Sequence, residues 1–328
     1  MGIYRRLNQQ NKNLTTTSKS QPLPLGAKIS LIVALLIAIL ALITPFLLHH
    51  QGHLISSPLT SLTSLLSTDT AHHSRRRFTL LHDNTYNLET TFCNIPRIQA
   101  DQLTVASFVG DYAGKIPIIL VDGKHNQHFR EHVTREKLLA QYGDVQVILS
   151  ASNSYTKHKK TVSVQKYVND MMKKQTIRSL GNETWYLFGD NYGEEWTPLL
   201  DLLQVSKYAG KENTLSFGVG GERSGVPFHF HGGGFSEVFH GRKRWFLTSH
   251  DNAPTYDPDQ SMLQWVQTKY AKLDTKKELA HIHECTIGPG EMLYFPSQWH
   301  HGVLNLDRWT SFVSTFTLGE NMPREMSL

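Results

Sequence analysis

The sequence predicts a mainly β protein, a jelly-roll barrel with flanking helices, preceded by one N-terminal transmembrane helix. Three observations carry this reading. Residues 29–48 hold no charge and are rich in Leu, Ile and Ala, at about the 20 residues a helix needs to cross a bilayer. Segments of helical spacing fall early in the following domain, while short apolar runs bounded by Gly, Pro and Asp crowd its later part. Two histidine motifs, His229-Phe230-His231 and Trp299-His300-His301, sit on or beside such runs and can meet only if the sheet closes on itself.

Taken in order, residues 1–28 carry Arg5, Arg6, Lys12, Lys19 and Lys28, whereas the first arginines after the apolar run are Arg75, Arg76 and Arg77. The positive-inside bias therefore predicts a cytosolic tail at 1–28, a signal anchor at 29–48 and a C-terminal domain carried across the membrane. A cleaved signal peptide would have a shorter apolar core and a small-residue cleavage site, and neither is evident. Residues 49–90 are rich in Ser, Thr and His and read as a stalk. The domain is expected at 91–319 and a C-terminal tail at 320–328. The topology is that of a single-pass type II membrane protein of the endoplasmic reticulum or secretory pathway. Asn182-Glu-Thr fits a glycosylation sequon on the lumenal side, whereas Asn13-Leu-Thr would face the cytosol unmodified.

The balance of 33 basic to 28 acidic residues is too even and too scattered to argue for a nucleic-acid partner. Cys93 and Cys285 are the only cysteines. In an oxidising lumen they could pair, or both could be buried thiols; spacing alone leaves the two open. Without a Cys-x-x-Cys there is no support for a redox motif or a structural zinc site.

Within the domain, 116–121 reads as a buried strand ending at Asp122-Gly123. Thr134 can cap a helix through Tyr142, stopped by Gly143. Val145, Val147 and Leu149 alternate as a strand, 163–172 has helical spacing, and 185–188 and 214–219 return to strand. An insertion at 251–279 holds a helix around 261–271 whose Met262, Leu263, Trp265, Val266 and Tyr270 read as core. His281 and His283 read as a solvated strand face. Strands from His283, Met292, Gly302 and Phe312 finish the barrel.

In a strand, His229 and His231 share one face while Phe228 and Phe230 take the other. Two imidazoles then converge on one point, and a third from the late corner would complete a metal site. The corner reads Gly290-Glu-Met-Leu-Tyr-Phe-Pro-Ser-Gln-Trp-His-His-Gly-Val-Leu-Asn305, with Pro296–Gln298 as a break between strands. Lys243 shares its strand face with Trp245 and Leu247, whereas Arg242, Arg244 and Phe246 share the opposite face. Burying an unpaired ammonium there is costly, so it either meets a carboxylate ligand or reaches out to solvent past Trp245.

These motifs resemble the JmjC domain, a branch of the cupin superfamily that includes Fe(II)/2-oxoglutarate oxygenases. Gly225-Val-Pro-Phe-His-x-His, Ser236-Glu-Val, Leu187-Phe-Gly-Asp and Leu304-Asn-Leu-Asp are similar to a branch of that family placed in the endoplasmic reticulum lumen, and the likeness runs from about Cys93 to about Leu318. It implies a double-stranded β-helix with His229, His231 and His301 on the metal. It also implies that Lys243 and Ser314 hold 2-oxoglutarate.

Two departures stand out. Gln298 stands where the cupin motif prefers Gly, and His231 replaces the Asp or Glu of His-x-Asp/Glu. Three neutral imidazoles can still hold a divalent metal, Fe(II) or another such as zinc or manganese. Glu237 could supply the missing oxygen as a fourth ligand if Gly232-Gly233-Gly234 loops out, or it is an ordinary strand residue. The resemblance implies an oxygenase that hydroxylates a protein substrate, with Phe230, Trp245 and Trp299 walling the pocket. The alternative is a JmjC-fold protein without catalysis that acts through protein contacts in the lumen.

Overall fold

The computed structural model describes residues 79–151, 158–176, 184–189, 193–273 and 278–317, all within one compact unit, Leu66–Leu328. The expected span at 29–48, the flanking tails, most of the stalk and the Asn182 sequon lie outside the described residues. Among those described, no helix is long and apolar enough to cross a membrane.

The early strands are β1 (Arg97–Gln99), β2 (Ile118–Val121), β3 (Gln146–Ala151), β4 (Lys159–Ser163), β5 (Trp185–Tyr186) and β6 (Asn213–Gly220). The later ones are β7 (Gly225–His229), β8 (Gly234–His240), β9 (Lys243–Thr248), β10 (His283–Ile287), β11 (Glu291–Phe295), β12 (His300–Asn305) and β13 (Thr310–Thr317). Six form one sheet in the order β1-β2-β11-β8-β13-β6, and four form a second in the order β10-β9-β12-β7. A small third sheet, β4-β3-β5, packs on the six-stranded one, where Val147, Leu149 and Val162 share a core with Phe217 and Val219 of β6. Apart from the parallel pair of β1 and β2, the pairings are antiparallel. Two facing antiparallel sheets with non-sequential neighbours make the jelly-roll that the late strands predict.

Each strand of the barrel sends alternate side chains to different layers, as the pleat requires. Ile119, Val238, Trp245, Leu247, Ile287, Leu293 and Phe312 fill the space between the sheets. Phe246 and Leu304 face outward from the four-stranded sheet onto Met262, Trp265 and Tyr270. Phe235, Met292 and Tyr294 face outward from the six-stranded sheet onto Phe108 and Tyr208. Every residue of β9 is buried, so its alternation divides two cores rather than core from solvent.

The helices follow their caps. Helix α1 (Val105–Asp111) starts where the Thr104 side chain accepts from the Ser107 N–H. After the short α2 (Gln127–His132), helix α3 (Arg135–Tyr142) is capped by Thr134 and ends at Gly143, as the sequence predicts. The helical spacing at 163–172 becomes a short α4 (Val164–Lys166), capped by Ser163, that widens into a π-turn over Tyr167–Met171. A single turn, α5 (Thr197–Leu200), precedes the barrel. The insertion helix, α6 (Met262–Thr268), starts at the Ser261 cap and buries Met262, Leu263, Trp265 and Val266.

The N-terminal arm is tied down twice. Cys93 and Cys285 are joined as a disulfide across 192 residues. Beside it, Arg244 and Glu284, both fully buried, meet at 2.8 Å. Arg244 Nε donates to the Tyr86 hydroxyl at 2.6 Å, and the Tyr270 hydroxyl donates to Glu284 Oε1 at 2.6 Å. His281 and His283 do not form the expected solvated strand face: His281 is exposed but lies on a 3-10 turn, Leu279–His281, before β10. The His283 ring is partly buried and lies 5.3 Å from that of Trp299.

Candidate metal centre

Strand β7 is the edge of its sheet, which is why Pro227 is tolerated in it. Its alternation sends Phe228 into the outer core and turns His229 inward. Strand β12 pairs with β7 so that His301 stands directly opposite His229. His231 lies just past the end of β7, and its carbonyl accepts from the Gln298 N–H at 2.9 Å. Gln298 adopts φ +63°, the left-handed region that glycine enters most cheaply, which explains why the related motif prefers glycine there. That one residue turns the corner, so β12 begins at His300, two residues before the expected start at Gly302.

The rings of His229 and His301 are 4.2 Å apart, those of His231 and His301 4.7 Å, and those of His229 and His231 5.2 Å. One ligand nitrogen from each lies within 4.8 Å of the other two. Each Nδ1 is hydrogen-bonded to a main-chain carbonyl: His229 to Pro227 at 2.8 Å, His231 to Gly232 at 2.7 Å and His301 to Trp299 at 2.9 Å. A carbonyl can only accept, so each Nδ1 carries the proton and each Nε2 keeps its lone pair. Burial lowers the His229 pKa to about 3, with His231 adding repulsion. It lowers that of His231, and takes that of His301 well below the usual range with His229 and His231 contributing. The triad is therefore three neutral imidazoles in the tautomer that binds a divalent cation through Nε2.

A cavity of about 30 Å³ beside the triad is lined by Lys243, Trp245, Tyr186, Ser314, Phe312 and Phe316 among others. Lys243 is 2% exposed, so it does not reach solvent. Its Nζ donates to the Tyr186 hydroxyl at 3.4 Å and sits 3.1 Å from the Phe312 ring centre. Ser314 Oγ bonds Ser236 Oγ at 3.2 Å, and the buried Trp245 Nε1 finds no partner among the described residues. Among the described residues these donors have no carboxylate beside them, which suits an anion.

Burial holds the Lys243 pKa well below its usual value. Unfolding returns the side chain to its ordinary pKa, so a proton is taken up on unfolding at pH values between the depressed folded pKa and the ordinary one. This contribution to stability is complete above the ordinary lysine pKa of about 10.4 and is lost as pH falls toward the depressed folded value. Lys243→Met should stabilise the ligand-free chain by roughly 2 kcal/mol at neutral pH, about 4–8 °C in melting temperature, and remove this part of the pH slope. Thermal melts from pH 7 to about 10 check both; a less stable variant contradicts the account.

Glu237 does not join the triad. It lies on β8 opposite Met292, on the face shared with Phe235 and Phe239, while Ser236 and Val238 face the interior. The glycine run does not loop out. Cβ atoms on Gly233 and Gly234 would meet Ser297 N at 3.1 Å and Thr315 O at 2.6 Å, so these glycines serve close passage under neighbouring backbone. Among the described residues, no carboxylate accompanies the three histidines. Phe230 walls nothing: it is 42% exposed and packs on His300 and His250 outside. Trp299 is absent from the cavity lining as well, and only Trp245 of that trio borders it. Tyr186 escaped the sequence reading because nothing local marks a hydroxyl that meets Lys243 from 57 residues away.

A family model described as a cupin-like domain matches residues 112–317. JmjC domain-containing protein 8 of Homo sapiens is 43% identical over 226 residues, covering 68% of this chain and 83% of that protein. The same-named protein of Rattus norvegicus is 42% identical over 231 residues, 70% of this chain and 84% of that one. A more distant relative, the bifunctional arginine demethylase and lysyl-hydroxylase psr-1 of Caenorhabditis elegans, is 25% identical over 289 residues, 77% of this chain and 70% of that one. With barrel, triad and relatives in agreement, the chain belongs to the cupin-like JmjC family, beside JmjC domain-containing protein 8.

Proposed function

We propose that the chain is a metal-dependent oxygenase of the JmjC type that hydroxylates a protein side chain with 2-oxoglutarate as cosubstrate. The observation that carries this is the convergence of one ring nitrogen from each of three histidines, with each Nδ1 held by a main-chain carbonyl. The Caenorhabditis elegans relative is named as a lysyl-hydroxylase, which agrees with it. The donor set fits a divalent metal, Fe(II) or another, and His229, His231 and His301 would hold it. Fe(II) with 2-oxoglutarate and O₂ supplies the oxidising power for hydroxylating a C–H bond. Lys243, with Tyr186 and Ser314 nearby, would receive the distal carboxylate, and Trp245 would keep water from the triad's inner side.

Space is the point of tension. About 30 Å³ holds roughly two waters, whereas 2-oxoglutarate has about ten non-hydrogen atoms, so side chains lining the cavity must move to admit it. This tightness and the absent carboxylate favour a second reading, a JmjC-fold protein without turnover that acts through lumenal protein contacts.

Succinate formed from 2-oxoglutarate by the purified chain separates the two. The oxygenase reading expects turnover above that of His301→Ala, and a further rise in His231→Asp, which restores the family's carboxylate. Wild type no faster than His301→Ala, with His231→Asp equally silent, sinks it.

We also propose the lumenal placement, with the domain held by the 29–48 span. The joined Cys93 and Cys285 support it, since disulfides persist in oxidising compartments. A glycosidase-sensitive mass at Asn182 and protease protection of the domain in sealed microsomes are expected. An unmodified Asn182 with a domain open to protease contradicts the topology.

A further inference from the structure

The six-stranded sheet carries a second cavity on its outer side, across β8 from the interior of the barrel. It measures about 340 Å³, within the range of small-molecule pockets. Leu120, Met292 and Tyr208 are buried at its floor, and with them Glu237, 6% exposed. Asp101, Asp122 and Val205 form an exposed rim.

The floor is a built arrangement. Asn126, itself 5% exposed and at φ +54°, donates from Nδ2 to Glu237 Oε2 at 2.8 Å and to the Gln204 carbonyl at 3.0 Å. Its Oδ1 accepts from the Gln204 N–H at 2.6 Å. One asparagine thus clamps the neighbouring loop and aims the carboxylate. The His125 Nδ1 lies 3.3 and 3.4 Å from the two carboxylate oxygens. It is the only ion-pair partner of Glu237 among the described residues. Lys207 is turned aside, donating to the Leu103 carbonyl at 3.3 Å and lying over the Tyr208 ring. Arg130 stands behind Gly290 with Nε and one terminal nitrogen sealed from solvent.

We propose that this cavity binds a primary ammonium on a short aliphatic stem, with Glu237 as counter-ion. The apolar floor suits the stem. Glu237 has one short hydrogen bond, from Asn126, and longer contacts with the His125 ring, whose pKa it raises, so the buried carboxylate still gains from a closer cation, and the acidic rim repels anions. With Asn126 on Oε2 and the His125 ring against both oxygens, a bidentate guanidinium fork is crowded and a single-point ammonium fits better. The ammonium can come from a free amine or from a lysine side chain of another protein.

Calorimetric titration of the full chain distinguishes these sources, using n-butylamine and the capped peptide Gly-Gly-Lys-Gly-Gly, with 1-butanol as neutral control. Saturable binding of an amine probe but not of butanol is expected. Tighter binding of the peptide identifies a protein lysine, and tighter binding of butylamine a small amine. Glu237→Gln keeps the side-chain volume and can still accept from Asn126, so it should fold and bind at least about tenfold more weakly. His301→Ala should bind as wild type does. Butanol binding as well as butylamine, undiminished binding by folded Glu237→Gln, or loss of binding in His301→Ala each overturns the proposal. If Glu237→Gln does not fold, Asp122→Asn on the rim decides, and unchanged amine affinity at low salt counts against it.

Discussion

Saturation with a divalent metal is expected to stabilise the wild-type chain by about 4 kcal/mol at a free concentration roughly a thousandfold above Kd, and His301→Ala to abolish the effect. For a domain of this size that is about 8–16 °C in melting temperature. His301 is buried between the other two rings and opposes His229 across the β7–β12 pair, so no neighbour can take its place. His300 is the control. Its Nδ1 meets the Tyr256 hydroxyl at 3.3 Å and its ring packs on Phe230, outside the triad. His300→Ala should keep the metal-dependent shift. Scanning calorimetry with and without Zn(II) or anaerobic Fe(II), with metal content by mass spectrometry, reads the outcome. A full shift in His301→Ala, or its loss in His300→Ala, contradicts the assignment of ligands.

The second large effect lies away from the site. Glu284→Gln is expected to destabilise the oxidised chain by about 3–5 kcal/mol, because it leaves the Arg244 guanidinium fully buried without its counter-charge. Arg244 keeps its bonds to the Tyr86 hydroxyl and the Phe92 carbonyl, but neither is an anion. The double change Arg244→Met with Glu284→Leu removes both charges at similar volume and should cost less than Glu284→Gln alone. Urea denaturation of the three chains, with the disulfide intact, gives the comparison. Equal or greater loss in the double variant would mean that packing rather than charge dominates there.

Both predictions rest on features the sequence revealed unequally. The triad was legible because His229 and His231 lie two apart and His301 falls in a recognisable corner motif, and both signals are local. Lys243 was legible as a lysine among apolar neighbours, but its choice between solvent and the interior was not. That depended on Phe312 and Tyr186 closing over it from other strands. The Arg244–Glu284 pair gave no local sign, since its two members come from adjacent strands joined through a long insertion. Glu237 shows the opposite failure. The glycines before it hid the phase of β8, and one step of phase moves a side chain from the barrel interior to the opposite cavity.

By itself, the sequence determined which residues share a strand face, where helices start, and that three imidazoles could supply a neutral nitrogen site. These follow from backbone periodicity and capping, which act over a few residues. Only the tertiary structure decided which strands lie side by side. It thereby decided that Cys93 meets Cys285, that Lys243 has no carboxylate beside it among the described residues, and that Glu237 serves a different cavity. The physical reason is that strand pairing is fixed by closure of two sheets around a shared core, a condition on the whole chain rather than on any stretch of it.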